Sequence, residues 1–250
     1  MKKSLLVIAC IFILCSISYA AKFSFAVFSD KQDRDPVFND LIGVMNQDKS
    51  IIFAINAGDL TDDGSQAEYD KYWLEKTKAT VKIYDVIGNH DRGNFNLGYN
   101  IFKKKYGFTY SYFDQDDCRF ILIDNSSGKG LGEGQWSWLK KTLSTKKMKF
   151  VFMHKPLFDP SGTYTSHVMA PQREVKKLQQ LFIDNGVKYV ITGHIHGYSK
   201  EDDGAIVYIV TAGAGASLYL PHFNGGFYHY VKITVDNDKI SDEVVKIYND

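Results

Sequence analysis

Cysteine is scarce in this chain of 250 residues, with three in all. Cys10 and Cys15 fall among the first twenty residues, which leaves Cys118 alone in the body of the chain. That excludes a disulfide framework there, and a core of this size folds without one. Cys118 stands between Asp117 and the apolar run 120–123, the setting of a buried structural thiol rather than a catalytic one. An excess of charge of one sign is also missing, with 30 Lys and Arg against 29 Asp and Glu. Without a basic footprint, no nucleic-acid partner is expected. No apolar stretch reaches the ~20 residues that a membrane-spanning helix needs. Internal repeats and low-complexity linkers are absent, and composition does not break after residue 21, so residues 21–250 read as one domain.

The first twenty residues differ from the rest. Lys2 and Lys3 precede the apolar run 5–14, and the small residues Ser18 and Ala20 stand at −3 and −1 of a cleavage point after Ala20. A basic start, a short apolar middle and small residues at the end describe an export signal over residues 1–20. The mature protein is then expected to be secreted or periplasmic, with no stable membrane span. Removal of two lysines and no acids leaves 30 − 2 = 28 basic against 29 acidic residues, a net charge of −1. The rival is a lipid anchor on Cys10, because Val7-Ile8-Ala9-Cys10 resembles a lipobox. The apolar run ahead of Cys10 is short for that role.

Beyond residue 21 the pattern alternates β and α for two thirds of the chain. Buried strands are expected at 23–28, 51–56, 81–87, 149–153 and 187–192. Asp35-Pro36 opens a helix, with Asp35 as N-cap and Val37, Phe38, Leu41, Ile42 and Met45 on one face. Further helices are expected at 66–78, 96–106, 134–143 and 171–185, the last stopped by Gly186. A hairpin joins 109–113 to 118–123 through the acidic turn 114–117. From Ala205 onward strands follow one another without helices, at 205–211, 227–235 and 240–248. The stretch 155–170 reads as a long surface loop.

Five of the strand-like runs end in the same way. Ser29-Asp30-Lys31-Gln32 follows the first, Ala57-Gly58-Asp59 the second and Gly88-Asn89-His90-Asp91 the third. His154 ends the fourth, and Gly193-His194-Ile195-His196 ends the fifth. Ligands of open α/β sheets sit outside the carboxyl ends of the strands. Carboxylate, amide and imidazole groups converging on one such edge form a metal site.

These motifs resemble those of the calcineurin-like metallophosphoesterase superfamily, over about residues 23–215. The resemblance implies an α/β fold, a four-layer α/β/β/α sandwich of two mixed β-sheets flanked by helices. It also implies a hydrolase of phosphate mono- or diesters that uses two divalent metal ions. Carried over position by position, it makes Asp59 the bridge between the ions. Asp30, Gln32 and His196 complete one shell, and Asn89, His154 and His194 the other. A hydroxide held between the ions attacks phosphorus, and His90 acts as the general acid on the leaving oxygen. Asp91 either orients His90 or a ligand, or caps a turn. Gln32 stands where the family pattern usually has histidine. Its oxygen is a neutral, harder donor, so manganese is expected, with iron or zinc as alternatives. Arg92, His167 and His222 are candidate substrate contacts, against a surface ion pair for Arg92 and plain exposure for the two histidines. His229 reads as a structural strand residue, and the small residues 212–216 as allowing close backbone approach beneath the site. The competing reading is a metal-dependent binding protein for a phosphorylated ligand, without turnover. His90 speaks against it, since a pure binder has no use for a proton donor.

Overall fold

A computed structural model describes residues 22–248. The expected export signal over residues 1–20, with Cys10, lies outside the described residues. Strand β1, Phe23–Phe28, is buried along its whole length, as a central strand covered on both faces must be. Helix α1, Asp35–Gln47, follows, and its five predicted inward residues are buried. Asp35 is the first residue of that helix rather than its cap. Its carboxylate is engaged by the ammonium groups of Lys31 and Lys71. Strand β2, Ile51–Asn56, and helix α2, Gln66–Lys76, come next. Ser65 caps α2 by accepting from the Glu68 amide, and Tyr69 and Tyr72 are buried beneath it. Strand β3, Lys82–Asp85, is shorter than its apolar run, because Val86 and Ile87 stay buried while the chain turns toward Gly88.

Helix α3, Leu97–Tyr106, ends at Gly107 in the left-handed region, φ 79°. The expected hairpin is β4, Ser111–Gln115, antiparallel to β5, Cys118–Leu122. Cys118 is buried in it, and burial pushes its thiol up to about 11. Helix α4, Glu133–Leu143, strand β6, Met148–Phe152, helix α5, Gln172–Asp184, and strand β7, Val187–Thr192, complete the alternation. Strand β8, Tyr198–Asp202, does not show in the sequence pattern, because its residues are mostly polar and no apolar period marks it. Backbone pairing to β9, Val207–Thr211, holds it at a sheet edge. Strands β10, His229–Asp236, and β11, Lys239–Lys246, close the chain as an antiparallel pair.

The strands form two mixed sheets. The first has order β11-β10-β1-β2-β3 and the second β4-β5-β6-β7-β9-β8. Their inner faces share one core, in which Phe25, Phe53, Phe120 and Phe150 pack ring against ring with neighbouring centroids 5.0–5.4 Å apart. Each buried ring contributes roughly 2–3 kcal/mol through the area that it removes from water. Helices α1 to α3 cover the outer face of the first sheet, and α4 and α5 that of the second. The result is a four-layer α/β/β/α sandwich. Because β1, β2 and β3 are parallel, their three carboxyl-end loops leave the first sheet on one edge. The parallel pair β6 and β7 does the same in the second sheet. No helix among the described residues is long and apolar enough to cross a membrane.

Candidate metal centre

The two loop sets meet where the sheet edges face each other. The His194 amide donates to Asp30 Oδ2 at 3.0 Å, and His154 Nδ1 lies 3.1 Å from the Ala57 carbonyl. Glycine makes room for this closeness. A Cβ on Gly193 would lie 1.9 Å from Ser29 Oγ, and one on Gly88 would lie 2.1 Å from Asp59 Oδ1. The ligand candidates themselves are under backbone strain. Asp30, Gln32, Asp59 and His194 hold φ of 63°, 46°, 52° and 72°, in the left-handed region that side chains avoid. Each such residue costs about 1–2 kcal/mol, and the clustering of four marks a site rather than a turn.

Seven side chains then fall into two adjoining groups. In one, His154 Nε2 lies 3.2 Å from Asp59 Oδ2 and 3.1 Å from Asn89 Oδ1. Ligand atoms of Asp59, His154 and His194 all lie within 4.8 Å of one another. In the other, His196 Nε2 lies 3.3 Å from Asp30 Oδ1. The backbone amide of Gln32 donates to the Asp59 carbonyl at 3.3 Å, which brings Gln32 alongside. Asp30 Oδ1 and Asp59 Oδ2 face imidazole nitrogens out of hydrogen-bonding alignment, so both are buried without a donor. Gln32 Nε2 is also buried without a partner. A half-turn of that amide exchanges nitrogen for oxygen, so the position offers a cation an acceptor. Buried acceptor oxygens with no donor are costly alone and are what a divalent cation satisfies. The group of Asp59, His154 and His194 fits a cation, and Asp30 with His196 offers ligands for a second one beside it.

The electrostatics agree. Burial pushes the Asp30 carboxyl up, but the charge of His154, the His196 imidazole and the Ser29 hydroxyl outweigh it and hold the group well below the usual range. Burial would lower His154, yet Asp59 and Asp30 push it up to about 9. Burial and the neighbouring His154 charge push His194 down to about 2. Burial likewise opposes protonation of His196, and its contact with Asp30 wins and raises it. The carboxylates thus favour the protonated forms of His154 and His196, and a bound cation would compete with those protons.

His90 stands at the rim, 38% exposed at its side chain. Its Nδ1 lies 2.5 Å from the Asp62 carbonyl, which leaves Nε2 on the Asp59 side, 4.0 Å from Oδ2. The Asp91 carboxylate is taken up by groups other than the His90 imidazole. Its Oδ2 accepts from the Gly88 amide at 2.7 Å, and its Oδ1 from the Thr61 amide and hydroxyl at 3.0 and 2.9 Å. It pins the second and third motif loops together, and burial with the Asp59 charge pushes it up to about 7. Arg92 bonds Ser126 Oγ at 2.9 Å and Asn96 Oδ1 at 2.8 Å, with Tyr99 under its guanidinium. His167 lies beside the centre, its ring 6.1 Å from that of His194. His222 sits in the turn His222–Asn224, with its ring 6.2 Å from that of Phe227. His229 is a buried strand residue, bonded to Thr211 and Phe227.

Three contributors carry no motif signal of their own. Ser29 donates to Asp30 Oδ2. Asn125 Oδ1 accepts from the His154 and Lys155 amides at 3.1 and 3.0 Å, and so sets the backbone that presents His154. Tyr219 stacks on His196, with centroids 3.9 Å apart. A cue exists for Asn125, because Asp124-Asn125-Ser126 is another polar trio at a strand end. None exists for Tyr219, since nothing local distinguishes it from the other tyrosines.

Comparison with known proteins supplies an independent line. The family model described as calcineurin-like phosphoesterase matches residues 23–198. The human serine/threonine-protein phosphatase CPPED1 is 28% identical over 170 residues, covering 61% of this chain and 54% of that protein. A probable cyclic nucleotide phosphodiesterase of Coxiella burnetii is 29% identical over 147 residues, covering 56% of this chain and 58% of that protein. The chain therefore spans about half the length of the curated relatives it matches. Among solved structures, the purple acid phosphatase PPD1 of yellow lupin superposes with a TM-score of 0.76 at 16% identity, over 91% of this chain and 52% of that one. A dimetal phosphatase from Danio rerio superposes with a TM-score of 0.71 at 15% identity, over 90% of this chain and 96% of that one. At those identities the structural likeness speaks for the fold.

Proposed function

Because the chain belongs to the calcineurin-like phosphoesterase family, we propose that it hydrolyses phosphate mono- or diesters at a centre for two divalent cations. Asp30, Gln32 and His196 would hold one cation, Asn89, His154 and His194 the other, and Asp59 would be shared. The observation that carries the reading is the pair of buried, donor-less carboxylate oxygens on Asp30 and Asp59, each facing an imidazole from the opposite sheet. When bound, such cations supply Lewis acidity and charge neutralisation, and bring the pKa of a water down to ~7. The chain's own groups do the rest. Strained backbone at Asp30, Asp59 and His194 presents the ligands already oriented, so little ordering is left for the cations to impose. The Asp62 carbonyl accepts a hydrogen bond from His90 Nδ1–H and so orients the ring. Nε2 is then the nitrogen that carries a proton to a leaving oxygen, and its exposure lets it recharge from solvent.

Relatives named as a phosphatase and as a phosphodiesterase support a proposal that spans both ester classes. Gln32 supports manganese as the working ion, by the hardness of its amide oxygen. The basic, apolar and small-residue pattern of residues 1–20 supports export, and so external esters as substrates.

The test is a reload of stripped protein with Mn²⁺, followed by turnover of para-nitrophenyl phosphate and bis-para-nitrophenyl phosphate. Two cations per chain and hydrolysis of at least one ester are expected. His90→Ala should retain both cations and lose roughly 10²- to 10⁴-fold in kcat, the usual worth of a general acid. A His90→Ala protein with unchanged turnover would remove the proton-donor role, and stripped protein that takes up no cation would remove the proposal.

A further inference from the structure

Two loops carry a row of aromatic side chains up to the metal-ligand candidates. One is the stretch 153–171 between β6 and α5, and the other is the segment 212–228 between β9 and β10. The Tyr219 ring lies on His196, 3.9 Å between centroids and 22° between planes. Tyr164 stands 5.6 Å from Tyr219, and His167 stands 5.4 Å from Tyr164 and 6.1 Å from His194. These rings are not core. Tyr219 is 38% exposed and His167 is exposed, whereas the rings between the sheets are shut off from water.

The row is also held still. The Tyr164 hydroxyl donates to the Tyr219 carbonyl at 3.0 Å and ties the two loops together. Asp159 accepts from the Ser161 amide, the Ser161 hydroxyl and the Tyr164 amide at 2.8, 2.9 and 2.6 Å. The Tyr219 amide donates to the His196 carbonyl at 2.8 Å. A tyrosine whose task is only to brace His196 needs neither Tyr164 nor His167, which extend the surface away from that ligand. Exposed π faces that are already ordered bind a flat ring with little loss of side-chain freedom.

We propose that the wall formed by Tyr164, His167 and Tyr219 receives an aromatic group on the ester, so that the preferred substrates are aryl or nucleoside phosphates rather than glycerol or alkyl phosphates. The inference rests on the phosphoesterase reading, since it seats the phosphate at the Asp30–Asp59 cluster. The π faces of tyrosine and histidine suit a stacked ring, and the adjacent centre positions the phosphate that the ring carries.

Phenylphosphonate and methylphosphonate share a head group and resist hydrolysis, so their binding tests the wall apart from turnover. With Mn²⁺-loaded protein in a calorimetric titration, the phenyl compound should bind roughly tenfold tighter, the worth of one stacked ring. In Tyr164→Ala and in Tyr219→Ala that ratio should fall severalfold. The ratio is compared within each variant, so a general loss of metal or of folding does not mimic the effect. Equal binding of the two phosphonates by the wild type, binding of neither, or a ratio that survives both substitutions would overturn the inference. Turnover of para-nitrophenyl phosphate and glycerol 3-phosphate, run beside it, separates the two claims. Hydrolysis without ring preference sinks the wall alone, and ring preference without hydrolysis sinks the hydrolase alone.

Discussion

At the scale of single residues, the centre is shaped by side chains that are absent. Gly88 and Gly193 leave room that Asp59, Ser29 and Asp30 fill. Gly43, on the exposed side of α1, would have nothing within 4 Å of an added Cβ and is an ordinary helix interior site. The two kinds of glycine should answer oppositely to one methyl group. Gly43→Ala should stabilise the protein by about 0.5–1 kcal/mol in urea unfolding, since alanine orders more cheaply in a helix. Gly88→Ala should push the Asp59 carboxylate aside and weaken Mn²⁺ binding roughly tenfold or more, read by titration of the stripped protein. If Gly88→Ala bound Mn²⁺ as the wild type does, Asp59 would not be held where the structure has it.

At the scale of elements, the loop after β1 is anchored to helix α2 by charge. Lys31 stands between the ligand candidates Asp30 and Gln32, and its side chain turns away from them into the protein. It is 2% exposed, and its ammonium meets Asp35 at 2.6 Å and Glu75 at 3.0 Å. Breaking one partner of a buried pair leaves a charge without compensation. Lys31→Met strands the Glu75 carboxylate, whereas Asp35 keeps Lys71, and it should therefore cost roughly 3 kcal/mol in denaturant unfolding. Replacing both residues together, Lys31→Met with Glu75→Leu, should recover most of that loss, because an apolar pair of similar volume needs no counter-charge. A double variant as unstable as the single one would show that the pair does more than satisfy itself. Helix α2 has a second tie to the site: Glu68 accepts from the Asp62 and Asp63 amides at 3.0 and 2.8 Å, and Asp62 supplies the carbonyl that holds His90.

At the scale of the whole molecule, the two sheets must stay in register for the centre to exist. His229, in β10 of the first sheet, reaches Thr211 in β9 of the second at 3.1 Å, and burial pushes its imidazole down to about 4. An unfolded histidine titrates near ~6.5. Between those values the unfolded chain binds the proton and the folded one does not, so stability is complete above ~6.5 and falls as pH drops toward 4. The loss amounts to roughly 3 kcal/mol from this residue. His229→Asn should flatten that slope relative to the wild type in urea unfolding of the stripped protein from pH 7 to pH 4. Parallel slopes in the two proteins would remove His229 as the sensor.

The order of the helices and of the buried strands, the inward faces of α1 and α5 and the polar strand ends are legible in the sequence, because burial imposes a period and a strand end imposes a glycine or a polar break. The gathering of Asp30, Asp59, Asn89, His154, His194 and His196 is legible too, since Asp, Asn and His at successive strand ends have few other reasons to recur. Strand β8 is not legible, because an edge strand held by backbone pairing needs no apolar pattern. Nor does the sequence decide that Asp91 serves the loops rather than His90, that Arg92 is tied to Ser126 and Asn96, or that Tyr219 lies on His196. Asp91 and Thr61 are 30 positions apart, and Arg92 and Ser126 are 34. Contacts of that reach depend on which way a side chain turns, and only the packing of one sheet on the other settles that.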